Sequence, residues 1–198
     1  MVQILGKTVP AVTTKAVVQG KIEEKFTLEQ FRGKKVLLFF YPLDFTFVCP
    51  TELLAFEKAR PQFEALNCQL IGCSVDSCFT HLAWQKTKVS EGGIEGVSYP
   101  LIGDVNKQVC EQFGVLVPGE GIAYRALFLI DESGIVRHML MNDLPLGRSV
   151  DEALRMVEAL QFFQKHGEVC PANWKSGAKG MKATLEGLRK YVATEVVR

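Results

Sequence analysis

Two cysteines of this chain stand in the same tripeptide, Val48-Cys49-Pro50 and Val169-Cys170-Pro171, near opposite ends of the sequence. The first has the more demanding setting. It closes the pattern Pro42-x-x-x-Thr46-x-x-Cys49 and is followed by Pro50-Thr51-Glu52. Ahead of it runs Val36-Leu37-Leu38-Phe39-Phe40-Tyr41, a continuous apolar stretch typical of a strand covered on both faces. Behind it, Leu53, Leu54, Phe56, Phe63 and Leu66 fall at helical spacing. Cys49 is therefore predicted where a buried strand hands over to a helix. Backbone N–H groups at a helix start lack intrahelical partners and favour negative charge. A thiol placed there loses its proton more readily, and the thiolate is the nucleophile. Thr46 is expected at the N-cap, putting Cys49 at the third helical position with its sulfur near the cap hydroxyl. Pro42 is expected to shield the sulfur, and Phe47 and Val48 to keep water away. An inert core cysteine is the plainer alternative. It needs neither the flanking prolines nor a capping hydroxyl, so a reactive thiol is favoured. With Cys170, the pattern suggests a two-thiol redox enzyme.

Bulk properties narrow the class. The chain has 198 residues, 47% of them hydrophobic and 23% charged, with a formal net charge of +1. That length can bury a core without disulfide support. The near-neutral charge gives no pull toward nucleic acid or an anionic membrane. No apolar stretch reaches the roughly 18 residues of a membrane span. The start, Met1 to Lys7, lacks the basic and apolar regions of a secretion signal, so a cytoplasmic location is expected. Six cysteines (49, 68, 73, 78, 110 and 170) include no Cys-x-x-Cys, and none pairs with His81, His138 or His166 at zinc-finger spacing. No metal and no other cofactor is expected.

The elements that must position Cys49 alternate between β-rich and helical patterns. Ala16-Val17-Val18 and Lys25-Phe26-Thr27 flank a turn at Gln19-Gly20, and a short helix is expected over 27–31. The helix from Cys49 to Leu66 should be kinked or interrupted at Pro61. Strands are predicted over 69–75, 100–102 and 126–130, and residues 135–141 form the hairpin partner of the last. Helices are expected from Asp76 or Ser77 to Lys88, from Asp104 to Phe113, and from Val150 to about Lys165. Strands separated by helices, closing on a hairpin, imply an α/β fold with a mixed sheet. The body is read as 1–166 and the glycine-containing remainder, 167–198, as a tail with a short helix. Cys73 reads as core, Cys68 and Cys78 as partly exposed, and Cys110 as a helix residue. Trp84, Trp174 and His81 read as packing residues, although Phe45, Phe47, Phe79 and Trp84 also look able to form an exposed apolar contact.

The stretch Asp44-Phe45-Thr46-Phe47-Val48-Cys49-Pro50-Thr51-Glu52 resembles the active-site signature of the peroxiredoxins. Gly167-Glu168-Val169-Cys170-Pro171-Ala172-Asn173-Trp174 resembles the resolving-cysteine segment of the typical two-cysteine subgroup, and Asn142-Asp143-Leu144-Pro145-Leu146-Gly147-Arg148 another of its signatures. The likeness runs from about Leu5 to Tyr191 and is read as nearest the peroxidase component of the bacterial alkyl hydroperoxide reductases. It implies a thioredoxin-like fold and a thiol peroxidase acting on hydrogen peroxide and small organic hydroperoxides. Cys49 would match the peroxidatic cysteine, which becomes a sulfenic acid, and Cys170 the resolving cysteine of an intersubunit disulfide. Thr46 and Arg125 would serve catalysis and, with Pro42, bind the peroxide; a surface charge at a strand start is the plainer reading of Arg125. Glu52 and Arg148 would match a pair that orients the arginine, an ordinary surface ion pair being their plainer reading. Thioredoxin or a flavoprotein disulfide reductase would return the electrons, to a homodimer assembled as a ring of five dimers.

Two departures stand out. The Gly-Gly-Leu-Gly loop of easily overoxidised family members reads Gly92-Gly93-Ile94-Glu95 here, and their Tyr-Phe pair reads Tyr191-Val192. Because those elements slow local unfolding in the family, resistance to overoxidation is expected. The rival functions are a general disulfide oxidoreductase, which the lack of Cys-x-x-Cys opposes, and an oligomeric chaperone-like holdase.

Overall fold

The computed structural model describes residues 4–196. Met1 to Gln3, part of the start read above for a secretion signal, lie outside the described residues, as do Val197 and Arg198. Two compact units are present, 1–150 and 151–198, so the division falls at residue 150 rather than at the 166 drawn from sequence.

Among the described residues of the first unit, seven strands form one mixed sheet: β1 (Thr13–Val18), β2 (Lys21–Thr27), β3 (Lys35–Phe40), β4 (Cys68–Ser74), β5 (Leu101–Gly103), β6 (Arg125–Ile130) and β7 (Val136–Asn142). Their order is β2-β1-β5-β4-β3-β6-β7. β3, β4 and β5 run parallel, β6 is antiparallel to β3, and the β1–β2 and β6–β7 hairpins close the two edges. Every residue of β3 and β6 is buried, which is why their sequences are apolar runs and not alternations. Gln19 and Gly20 turn the first hairpin with φ of 50° and 73°, the twist that suits a two-residue hairpin loop.

Each sheet face has its own aromatic packing. On one face Leu38, Phe40, Ile71, Ile102, Ala126 and Phe128 join Val109, Cys110 and Phe113 of α3 (Gln108–Phe113). Phe113 stands edge-on to Phe128 at 5.0 Å. On the other, Phe39 stacks on Phe56 of α1 (Cys49–Ala65) at 4.4 Å and meets Tyr99 edge-on at 5.7 Å. Gly72 lies here because a Cβ would stand 2.8 Å from Leu101 and 3.3 Å from Phe39. α1 continues through Pro61, so the helix is not interrupted there. Pro61 itself is exposed. Ser77 caps α2 (Cys78–Lys86) by accepting the Thr80 N–H at 3.2 Å.

The second unit holds most of α4 (Val150–His166), a loop closed by a bridge between Val169 and Met181, and α5 (Leu185–Tyr191) running into a wider helical turn, Val192–Val196. No helix among the described residues is long and apolar enough to cross a membrane.

Candidate active site

Cys49 is the first residue of α1, fully buried, where the loop from β3 enters the helix. Val48 holds the N-cap position and no side chain caps the helix. The expected cap, Thr46, instead donates its hydroxyl hydrogen to the Leu43 carbonyl at 3.0 Å. Cys49 thus sits two positions nearer the helix start than predicted. Pro50 fills the next position, where a missing N–H forfeits no helical bond. Phe45, at φ 53°, carries the strain of the turn that brings Thr46 back to Leu43. Pro42 is buried two residues after the end of β3. Phe47 projects into solvent at 92% exposure, contrary to the expectation that it keep water away from the sulfur. Val48 packs toward the chain at Gly147, where a Cβ would lie 3.4 Å away.

Three charged side chains converge on Cys49 from separate elements. Arg125, the first residue of β6, points one terminal nitrogen at Cys49 Sγ, 3.4 Å away, and at Glu52 Oε2, 2.8 Å away. Its Nε donates to the Leu144 carbonyl at 2.6 Å. Arg148 donates to both oxygens of Glu52, at 2.8 and 2.9 Å, and to the Phe40 and Ala126 carbonyls at 2.7 and 2.6 Å. Its backbone N–H adds a 2.8 Å bond to Glu52 Oε1. Exposure is 3% for Glu52, 4% for Arg125 and 8% for Arg148, so the surface-pair reading of Glu52 and Arg148, and the surface reading of Arg125, are both overturned. Helical spacing explains Glu52: three residues after Cys49, it lies one turn on, facing the sheet. Burial pushes the Glu52 carboxyl up, but the Arg148 hydrogen bonds and charge, with Arg125, outweigh it and hold it below the ordinary range. Two guanidinium groups thus face one carboxylate in a dry site.

The structure thus brings together Cys49, Glu52, Arg125 and Arg148, and leaves Thr46 and Pro42 on the loop that carries Cys49. Cys170 belongs to the second unit, half-buried, its thiol donating to the Ala159 carbonyl at 3.5 Å. Burial pushes that thiol up, partly opposed by the Arg155 guanidinium. Cys68 and Cys78 are buried, not partly exposed as expected, because they are the first residues of β4 and α2 with side chains turned inward. Burial drives Cys68 to about 12 and raises Cys78 and Cys73 as well. Donor atoms of Cys73, Asp104 and Cys110 lie within 4.8 Å of one another, all buried. The Asp104 oxygens there accept the Val109 and Cys110 N–H groups at 3.0 and 2.8 Å, capping α3.

A second buried polar group escaped the sequence reading. Asp44 accepts Tyr41 OH at 2.9 Å and contacts His81 Nδ1 at 2.7 Å, while His81 Nε2 lies 3.1 Å from the Ile102 carbonyl. Burial raises the Asp44 carboxyl, opposed chiefly by the His81 bond. No spacing could have paired residues 37 apart; the only signal was a carboxylate inside an otherwise apolar loop. Trp84 is fully buried, its Nε1 donating to the Gly92 carbonyl at 2.9 Å, so it leaves the exposed set; Phe45 and Phe79 remain in it at 51% and 77%.

Comparison with known proteins gives a consistent neighbourhood. Residues 5–139 match the AhpC/TSA family and residues 159–193 the C-terminal domain of 1-Cys peroxiredoxin. The chain is 47% identical to a thioredoxin peroxidase of Echinococcus granulosus over 194 residues, covering 98% of this chain and 100% of that one. It is 52% identical to peroxiredoxin-2 of Mus musculus over 187 residues, 94% of each chain. The reduced 2-Cys peroxiredoxin of Plasmodium vivax superimposes with a TM-score of 0.94 at 46% identity, over 98% of this chain and 100% of that one.

Proposed function

This chain belongs to the AhpC/TSA family of peroxiredoxins, and from that premise we propose that its peroxidase chemistry runs through Cys49 as attacking sulfur and Cys170 as resolving sulfur. It is a thiol-dependent peroxidase that acts on peroxide and assembles with copies of itself. The observation that carries the assignment of Cys49 is the Arg125 nitrogen 3.4 Å from its sulfur, held there by Glu52 and the Leu144 carbonyl. The Cys49 thiolate attacks the terminal peroxide oxygen, the O–O bond breaks, and the leaving oxygen departs as water or alcohol after taking up a proton. Arg125 stabilises charge first on sulfur and then on that oxygen, and its guanidinium stays charged throughout. Thr46 already donates its own hydrogen to Leu43, so its oxygen is left to accept the peroxide O–H. Pro42 fixes the loop, and Glu52 and Arg148 orient Arg125.

The sulfenic acid on Cys49 is then attacked by the Cys170 sulfur of a second chain. An S–S bond forms, the S–O bond breaks, and hydroxide leaves to become water. A dithiol reductant returns both thiols by exchange. Thioredoxin fits, as the name of the Echinococcus relative supports for that protein, and a flavoprotein disulfide reductase is the other donor class. The exposed Phe45, Phe47 and Phe79 supply apolar surface for building dimers into a ring of five. A cytoplasmic location is part of this reading; cell fractionation decides it against the mitochondrial setting named for a Plasmodium falciparum relative.

Nonreducing electrophoresis after one equivalent of peroxide tests the scheme. Wild type gives a covalent dimer; Cys49→Ser and Cys170→Ser do not. Peroxide consumption by Cys49→Ser at the wild-type rate would overturn the assignment of Cys49, whereas a wild type that consumes no peroxide, with suppression of client aggregation retained in Cys49→Ser, would leave only a holdase.

A further inference from the structure

The resolving segment is docked on its own helix by contacts that no catalytic step described above employs. Residues 169–181 form a loop closed at its base, where Val169 and Met181 exchange backbone hydrogen bonds of 2.8 and 3.0 Å. Its tip is Trp174, 4% exposed, whose ring lies 4.9 Å from Phe162 of α4 and whose Nε1 donates to the Ala178 carbonyl at 3.1 Å. The Trp174 backbone carbonyl accepts a 2.9 Å bond from the Arg155 guanidinium. Glu152 grips the other two nitrogens of that guanidinium at 2.6 Å each, so its aim is fixed. Ala159, one turn further along the same face of α4, accepts the Cys170 thiol. In this arrangement Cys170 is a docked thiol and Cys49 has no exposed surface. Two sulfurs must approach to about 2.05 Å to bond. Cys170 therefore has to leave Ala159 before it can reach a sulfenic acid on another chain.

We propose that Arg155 is a positioning residue of the resolving step: by holding the Trp174 carbonyl it docks the Cys170 segment on α4 and sets how fast Cys170 becomes available. The proposal rests on the assignment of Cys49 and Cys170 above. Loss of one charge-assisted hydrogen bond from the docked form should speed release about tenfold.

Rapid mixing with hydrogen peroxide separates the steps. Tryptophan fluorescence reports a first phase proportional to peroxide, sulfenic acid formation, and a second independent of it, disulfide formation. Arg155→Met keeps the apolar stem and removes the donors; Arg155→Lys restores one. The expected result is an unchanged first phase, a second phase about tenfold faster in Arg155→Met, and an intermediate rate in Arg155→Lys. The yield of Cys49 sulfinate at fixed peroxide excess should fall in the same order. A merely structural role would lower the melting temperature without this split or the lysine rescue. A second phase that is unchanged or slower in Arg155→Met overturns the proposal. Absence of a first phase in wild type would instead sink the assignment of Cys49.

Discussion

Replacing Glu52 by glutamine removes one negative charge from the centre of the buried cluster while keeping shape. In the wild type, Oε1 accepts from the Arg148 backbone N–H and Nε, both at 2.8 Å, and Oε2 accepts from Arg125 and Arg148 at 2.8 and 2.9 Å. The glutamine oxygen can keep the first pair. Its NH2 must then face two guanidinium donors, so two charge-assisted bonds become donor–donor contacts. At about 1.5–3 kcal/mol each, the loss is about 3–6 kcal/mol, which spans the roughly 3–5 kcal/mol found when one partner of a buried ion pair is deleted. That is a large share of the roughly 5–15 kcal/mol by which domains of this kind are stable. Arg125 keeps its anchor on Leu144 but loses the one that aims its terminal nitrogen at Cys49. A displacement of about 1 Å at a reacting group lowers rate by about a hundredfold. Urea unfolding gives the first quantity and stopped-flow kcat/KM for hydrogen peroxide the second, with Glu52→Asp as a charge-preserving control. Stability within about 1 kcal/mol of wild type, together with a rate within about twofold, would refute the claim that Glu52 holds Arg125 on the sulfur.

Three further outcomes are expected. Because the folded Glu52 carboxyl lies below its ordinary value of 4.5, its stabilisation is fully present above that value and lost as pH falls through the lower folded one. Urea midpoints measured from pH 7 downward should therefore show an acid loss in wild type that is smaller in Glu52→Gln. His81→Leu leaves Asp44 buried with only Tyr41 as a side-chain hydrogen-bond partner and should cost about 2–4 kcal/mol at neutral pH. Since burial already raises Asp44 and His81 opposes it, that penalty should shrink as pH falls toward the ordinary aspartate range; a pH-independent penalty would show that packing, not charge, is at stake. Finally, with Glu95 and Val192 where the motifs of easily overoxidised peroxiredoxins place glycine and phenylalanine, peroxide titration followed by mass spectrometry should show Cys49 sulfinate only at high peroxide excess, and its ready appearance at low excess would count against the reading.

Local chemistry made much of this protein legible in its sequence. The apolar runs at β3 and β6 announced strands buried on both faces, Gln19-Gly20 announced a hairpin, and the Pro-x-x-x-Thr-x-x-Cys pattern marked the strand-to-helix junction that carries Cys49. These are signals of one element and its neighbours, and one element suffices to encode them. Tertiary structure decided what depends on distant segments. It joined Glu52, Arg125 and Arg148 into a buried cluster on Cys49, where residue type and spacing alone read these arginines as surface charges and only the resemblance singled them out. It moved the helix start to Cys49 by giving the Thr46 hydroxyl to Leu43, and it paired Asp44 with His81 across 37 residues. It turned Cys68 and Cys78 inward and set Arg155 on the Trp174 carbonyl. Whether a charge is buried depends on which strands lie beside it, and the order of a sheet is not written in any one strand.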